Sequence, residues 1–123
     1  MADSPHEAVV RRYIEQGFAR GDEAVLESVI SDVMVSHATR RNATLGKGGI
    51  IRGVRSLRTK FVNLQIVLRD LWTEHGLVKS RTTVSGIAIL PFRGQPPSGK
   101  PTHFEIQATF RVVGDRIVER WDD

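Results

Sequence analysis

Residues 102–122, with the sequence THFEIQATFRVVGDRIVERWD, give the clearest indication of the fold. Apolar residues occupy every second position from Phe104 to Val112, and mostly polar residues stand between them. This alternation predicts a strand with one buried face. Gly114 and Asp115 are typical of a two-residue hairpin turn. Residues 116–123 are therefore predicted to form the returning strand.

A two-residue turn fixes which residues pair across the hairpin, and directly paired residues share a face. Phe110 then pairs with Glu119, and Ala108 pairs with Trp121. Asp122 is predicted to face outward. A register slip of one residue would reverse these assignments. Three side chains of the last strand are thus predicted to face the interior: Glu119, Trp121 and Asp123.

Upstream of this hairpin, the chain alternates between helical and strand patterns. Ser4, Pro5 and Glu7 predict a helix start with a capping box, and Asp22 predicts the start of a second, short helix. A third helix with a basic face is predicted after Gly49. The remaining predicted elements are a short strand at 33–37, a polar loop at 38–48, strands at 64–72 and 77–90, and a proline-rich loop at 91–101.

Three N-terminal helices followed by meandering strands indicate an α+β fold. We expect the helices to pack on a strongly curved antiparallel sheet and to enclose an apolar pocket. A length of 123 residues fits one domain over residues 1–123.

The composition is that of an ordinary globular protein, with 40% apolar and 26% charged residues. The absence of cysteine excludes disulfides and thiolate chemistry within these residues. No apolar run is long enough to span a membrane, and the N-terminus lacks a signal-peptide core. We therefore expect a cytoplasmic protein without a membrane partner.

The net charge of +4 is concentrated in a basic segment between residues 40 and 60. Its members are Arg40, Arg41, Lys47, Arg52, Arg55, Arg58 and Lys60. One interpretation is a surface that binds nucleic acid. The other is the solvated face of a helix and its preceding loop. Since no nucleic-acid motif accompanies the segment, we expect no nucleic-acid partner.

From residue 6 to 122 the sequence resembles the SnoaL-like polyketide cyclase branch of the nuclear-transport-factor-2-like (NTF2-like) superfamily. The segments that carry the resemblance are ARGD at 19–22, SDVMVSH at 31–37, FVNL at 61–64, PFRGQPPSGKP at 91–101 and FRVVGDRIVERW at 110–121. The proline-rich segment is the most specific of them. Two positions differ from the family pattern. Ala108 stands where the family carries an acid or a histidine, and the sequence ends at Asp123, before the position of the family's acid/base aspartate.

The resemblance implies an NTF2-like conical barrel and a cofactor-free pocket for acid/base chemistry on an apolar substrate. It also implies a homodimer packed through the outer face of the sheet. The reactions it suggests are ring closure or double-bond isomerisation of a polyketide- or terpenoid-like molecule. Alternatives are epoxide hydrolysis or epoxide-opening cyclisation, and a non-catalytic module for ligand binding or dimerisation.

Four residues are candidates for catalysis. His37 ends the first short strand and can exchange a proton near neutral pH. Tyr13 lies on the inward stripe of the first helix, where its hydroxyl could donate to an oxyanion. The resemblance implies that these two residues act together. Glu119 and Asp70 are acids in apolar strand rows, and such acids pair, titrate or line a wet cavity.

The predicted substrate-binding residues are mainly apolar and face the interior in the assignments above. They are Phe18, Phe61, Trp72, Ser80, Thr82, Phe104, Ile106, Ala108, Phe110 and Trp121. No metal site is predicted, because His103 and Glu105 alone do not supply a ligand set.

Overall fold

The computed structural model describes residues 2–38 and 43–122. The helical elements are α1 (Pro5–Arg12), a π-helical segment (Tyr13–Phe18), α2 (Glu23–Val29) and α3 (Lys47–Lys60). The strands are β1 (Ile30–Ala38), β2 (Ala43–Leu45), β3 (Phe61–Glu74), β4 (Leu77–Ala88), β5 (Pro101–Val113) and β6 (Arg116–Asp122). The predicted α+β class is confirmed.

The first two helices begin where their capping residues predict. The Ser4 hydroxyl accepts a hydrogen bond from the Glu7 backbone N–H at 3.1 Å, and the Glu7 carboxylate accepts one from the Ser4 N–H at 3.0 Å. At α2 the Asp22 carboxylate accepts from the Val25 N–H at 3.2 Å. These bonds satisfy backbone donors that a helix N-terminus leaves without partners.

The helix after Pro5 is not α-helical throughout. From Tyr13 to Phe18 the backbone is wound as a π-helix. At its end the Ala19 N–H donates to the carbonyl of Ile14, five residues back, at 2.8 Å. Such segments often occur at functional sites, and this one carries Tyr13 and Phe18 to the cavity described below.

The six strands form one sheet in the order β2-β1-β6-β5-β4-β3. The pairing of β1 with β6 is parallel, whereas the other pairings are antiparallel. The expected antiparallel sheet is confirmed for the other pairings, and the parallel pairing of β1 with β6 differs from it. In the chain, α3 and the meander separate these two strands. The short strand predicted at 33–37 is longer, and the predicted loop at 38–48 contains β2.

Register shifts occur in β1, β3 and β6, and two of them, one in β3 and one in β6, change the faces of predicted site residues. In β3, Leu68 pairs with Thr82 while Asp70 pairs with Arg81, so that Arg69 has no opposite residue. Because successive side chains alternate in direction, one extra residue moves everything beyond it to the other face of the sheet.

The extra residue of β6 follows the Gly114–Asp115 turn. Val113 pairs with Arg116, as the turn predicts, and Val112 pairs with Ile117. Arg111 then pairs with Glu119, which leaves Val118 unopposed. From this point the predicted register is wrong by one residue, because Phe110 pairs with Arg120 and not with Glu119.

The helices and one face of the sheet share a single apolar core. The predicted inward rows of β4 and β5 are confirmed, since Val78, Val84, Phe110 and Val112 are buried. The largest fully buried side chains are Phe110, Leu26, Ile30 and Ile117. In the described part of the chain, no helix is long and apolar enough to cross a membrane.

Two helical glycines should respond in opposite ways to replacement by alanine. A methyl group at Gly17 would lie 2.5 Å from Cδ2 of Leu26, which is fully buried, whereas one at Gly53 would meet nothing within 4 Å. We expect Gly17→Ala to lower the free energy of unfolding by about 1–3 kcal/mol through overpacking. Gly53→Ala should raise it by roughly 0.5–1 kcal/mol, because alanine loses less backbone entropy. Urea unfolding measures both, and equal stabilities of the two variants would contradict this packing.

Candidate active site

A cavity of about 770 Å³ lies between α3, the π-helical segment and the inner face of the sheet. This cavity, called the main cavity below, has a mixed lining in which apolar residues alternate with polar and charged side chains. The polar side chains that the sheet contributes are Ser36, Ser80, Thr82, Arg120 and Asp122. Concave, mostly apolar spaces with a few converging polar groups are typical of small-molecule sites.

Tyr13 lies at the main cavity, as predicted. It is 5% exposed, and its ring meets Phe110 edge to face at a centroid distance of 5.6 Å. Burial raises the pKa of the Tyr13 hydroxyl, Asp122 raises it further, and Arg120 opposes both. The hydroxyl therefore stays protonated at neutral pH and can donate a hydrogen bond.

Arg120 and Asp122 form an ion pair within the lining of the main cavity. The Arg120 guanidinium nitrogen Nη1 lies 2.8 Å from Asp122 Oδ2 and 3.4 Å from the Ser36 hydroxyl oxygen. The side chains of Arg120 and Asp122 are 12% and 26% exposed. Buried Arg120 Nε has no hydrogen-bond partner within the described residues. An unsatisfied buried donor costs about 1–3 kcal/mol, which a ligand oxygen bonded to it would offset.

Six of the predicted substrate-binding residues line the main cavity. They are Phe18, Ser80, Thr82, Ile106, Ala108 and Phe110. Ser80 and Thr82 are each 3% exposed, and their hydroxyls can orient the oxygens of a ligand.

Two predicted aromatic residues line a different space. Phe61 and Phe104 contribute to a smaller cavity of about 330 Å³ beside the 91–100 loop. Both rings contact Phe92, with centroid distances of 5.1 and 5.3 Å. Neither residue lines the main cavity, whereas Phe92, which contacts both rings, lines both cavities. A role of Phe61 and Phe104 in substrate binding stays a prediction.

The last strand presents the opposite face to the one predicted. Because Val118 is an extra residue, Glu119 and Trp121 lie on the outer face of the sheet, and Arg120 and Asp122 lie on the inner face. The predicted interior positions of Glu119 and Trp121, and the predicted outward position of Asp122, are wrong. Asp123 lies outside the described residues.

His37 also lies on the outer face, next to Glu119 and Trp121. Its neighbour Ser36 is buried and faces the main cavity, so His37 faces away from it. His37 Nε2 lies 2.8 Å from Glu119 Oε2, and its ring stacks on Trp121 with the centroids 5.5 Å apart. Arg111 Nε donates to Glu119 Oε1 at 3.3 Å. The structure brings His37 and Glu119 together, but it separates both from Tyr13.

The predicted interior positions of Asp70 and Trp72 are wrong for the same reason as those of Glu119 and Trp121. The extra residue Arg69 turns Asp70 and Trp72 outward, and Leu71 faces the core in their place. Asp70 accepts a 2.6 Å hydrogen bond from Arg81, whose guanidinium also lies 3.0 Å from Glu105. Trp72 is 42% exposed. The homodimer expected through this outer face stays a prediction.

The hydrogen-bonded pair of Glu119 and His37 should make the free energy of unfolding depend on pH in the acid range. The hydrogen bond from His37, aided by Arg111, lowers the pKa of Glu119 below its ordinary value of 4.5. A carboxyl whose pKa is lower in the folded state stabilises the fold above the unfolded-state pKa, and this contribution is lost as the pH falls through the folded-state pKa. We expect wild type to exceed Glu119→Gln in stability at pH 6 and the difference to vanish toward pH 3. Urea midpoints measured over this range test it, and a constant difference would contradict it.

Sequence reasoning missed several residues of the main cavity. Arg120 and Asp122 were missed because the extra residue of β6 reverses the faces that the alternation predicts. Ser36 was also missed, because Val33, Met34 and Val35 are all apolar and the sequence does not show which row of β1 is buried. Three further cations of the lining were also missed as cavity residues: Arg52, Lys60 and Arg93.

A curved six-stranded sheet with helices packed over a cavity defines an NTF2-like protein. The sequence model of the SnoaL-like polyketide cyclase family matches residues 8–122, and the chain belongs to this family. The resemblance inferred from the sequence is thereby confirmed.

Solved structures with this fold are similar over nearly the whole chain. IdmH from Streptomyces antibioticus is 22% identical, with a TM-score of 0.83 over 98% of this chain and 91% of that chain. TsrD from Streptomyces laurentii is 19% identical, with a TM-score of 0.81 over 100% and 90%. A SnoaL-like polyketide cyclase from Agrobacterium tumefaciens is 11% identical, with a TM-score of 0.81 over 99% and 91%. The search of curated proteins found no match to this chain.

Proposed function

We propose that the protein is a cofactor-independent acid/base enzyme of the cyclase or isomerase type. Its substrate is an apolar polyketide- or terpenoid-like molecule that binds in the main cavity. The observation that carries the proposal is that Tyr13, Arg120 and Asp122 line one cavity together with apolar side chains that can hold a substrate. The family of the chain supports the same class of reaction.

The three side chains supply complementary steps. The Asp122 carboxylate removes a proton from a carbon next to a carbonyl group, which leaves an enolate. Arg120 Nε and the Tyr13 hydroxyl donate hydrogen bonds to the enolate oxygen, where negative charge develops. In ring closure, the enolate carbon attacks a second carbonyl carbon, and the resulting alkoxide takes the proton from Asp122. In isomerisation, Asp122 returns the proton to a different carbon.

Proton exchange tests the proposal, because removal of the α-proton is common to both reactions. Aromatic and alicyclic β-ketoesters in D₂O serve as probes, and proton NMR follows the loss of the α-proton signal. We expect wild type to accelerate exchange above the buffer rate. Ala108→Phe, which fills the cavity, should return the rate to that of buffer. Thr109→Phe places the same bulk on the outer face and should leave the acceleration intact. Equal rates for wild type and Ala108→Phe would contradict the proposal.

A further inference from the structure

The solvent-facing part of the main cavity carries a concentration of positive charge. Arg52 and Arg93 are exposed and Lys60 is half-buried, and all three line the cavity. Among the described residues, Asp122 is the one acid of the lining, and it lies 2.8 Å from Arg120. The Arg120–Asp122 pair makes no net contribution to the charge. The charge that the described lining adds at this solvent-facing part, the opening of the cavity, is therefore positive.

The basic residues of α3 divide into two sets on different faces of the helix. Lys47 contacts Glu27 and Asp32 at 3.0 and 2.9 Å, and Arg55 contacts Glu23 at 2.7 Å. Arg58 donates to the backbone carbonyl of Ala19 at 2.8 Å. These three residues fasten α3 to segments that precede it in the chain.

Arg52 and Lys60 form the other set. Neither has an acidic partner within 4 Å in the part of the chain that the structure describes. The two residues are eight positions apart, so they lie on the same side of the helix, two turns from each other. Three of the five basic residues of α3 thus make structural contacts, while Arg52 and Lys60 line the main cavity. Arg40 and Arg41 of the basic segment lie outside the described residues.

Arg93 brings a third cation to the opening from the 91–100 loop, and both it and Lys60 lie near the Phe92 ring. It begins a tight turn in which Arg93 and Gly94 both have positive φ, 52° and 75°, closed by the bridge between Phe92 and Gln95. The Arg93 guanidinium carbon lies 4.3 Å from the centre of the Phe104 ring and 5.3 Å from that of Phe92. Contacts with two aromatic faces hold this charge in place.

We infer that the natural ligand of the main cavity is an anion: an apolar body with a carboxylate or similar acidic group that lies at the opening, near Arg52, Lys60 and Arg93. The inference deepens the proposed function, because it takes the main cavity to be the substrate site. Charges of one sign at the mouth of a cleft with low-dielectric walls raise the local concentration of the opposite ion. The apolar lining accepts the body, while the acidic group remains partly hydrated.

A pair of fluorescent probes tests the inference. 1-Anilinonaphthalene-8-sulfonate is an anion, and N-phenyl-1-naphthylamine has the same ring system without the sulfonate. If each exposed cation contributes about twofold to fivefold, wild type should bind the anion roughly tenfold more tightly at low salt. The preference for the anion should shrink in 0.5 M NaCl, because the Debye length at this ionic strength is about 4–5 Å and exposed charges are strongly screened. The Arg52→Gln/Lys60→Gln variant should lose most of the preference and keep its affinity for the neutral probe.

Two control variants test whether the preference for the anion arises at the opening of the main cavity. Arg55→Gln/Arg58→Gln removes the same charge from the other face of α3 and should keep the preference, with thermal unfolding measured for every variant. Ala108→Phe should weaken the binding of both probes, which places them in the main cavity. Equal affinity of wild type for the two probes, an equal loss in both double variants, or anion binding unaffected by Ala108→Phe would each overturn the inference. Since the assay measures binding alone, it separates this inference from the catalytic proposal, which proton exchange tests.

Discussion

Replacing Asp122 by asparagine should lower the rate of α-proton exchange on a bound β-ketoester by about 10²- to 10⁴-fold, the usual contribution of a general base. Asparagine has nearly the same shape and can still accept a hydrogen bond from Arg120, so the cavity and the fold should persist. The amide oxygen is a far weaker base than the carboxylate, and proton removal is therefore lost. Probe binding and thermal unfolding, measured in parallel, separate a loss of catalysis from a loss of structure.

Glu119→Gln is the matched control for this experiment. Glu119 lies three residues before Asp122 in the same strand, and the same change of carboxylate to amide is made on the outer face. We expect exchange by Glu119→Gln to stay near the wild-type rate. If Asp122→Asn retains full activity while Glu119→Gln loses it, the catalytic group is on the outer face and the proposed mechanism is wrong.

Phe110→Ala should have the largest effect on stability. Phe110 is 1% exposed, belongs to the central core and contacts Tyr13 edge to face. Truncation of a buried phenylalanine to alanine costs about 3–5 kcal/mol through lost transfer free energy and the space left behind. This loss is a large fraction of the roughly 5–15 kcal/mol that stabilises a typical domain.

Urea unfolding measures the effect, and Val113→Ala is its control. Val113 belongs to the same strand but is 62% exposed, so its truncation should change stability by about 0.5 kcal/mol or less. Similar losses in the two variants would contradict the central position of Phe110. Loss of the Phe110 ring should also enlarge the main cavity next to Tyr13.

Much of the fold could be predicted from local patterns. Ser4 and Asp22 mark helix starts because their side chains bond backbone N–H groups a few residues away, and such bonds need no information from the rest of the chain. The alternation in β5 predicts its buried face for the same reason. The parallel contact of β1 with β6 could not be predicted in this way, because it joins segments far apart in sequence.

The candidate site was predicted less well than the fold, and two residues account for most of the wrong side-chain orientations. Arg69 and Val118 are extra residues in their strands, and nothing in their chemistry distinguishes them from ordinary strand residues. Each turns an acid and a tryptophan that follow it to the outer face. In the structure Asp70 and Glu119 are therefore ion-pair partners on the surface, and Asp122 occupies the interior position. The position of a bulge depends on packing across the whole sheet, which alternation alone does not encode.

The parallel pairing of β1 with β6 also has a consequence for the order of events during folding. Ser36 and Arg120, which meet across this pairing, are 84 positions apart in the sequence. Contacts between distant segments form only after the loop-closure entropy of the intervening chain has been overcome, and they slow folding. The polar part of the main cavity should therefore be completed late, after the β3–β4 and β4–β5 hairpins. In a refolding experiment, recovery of probe binding should lag behind the formation of sheet detected by circular dichroism.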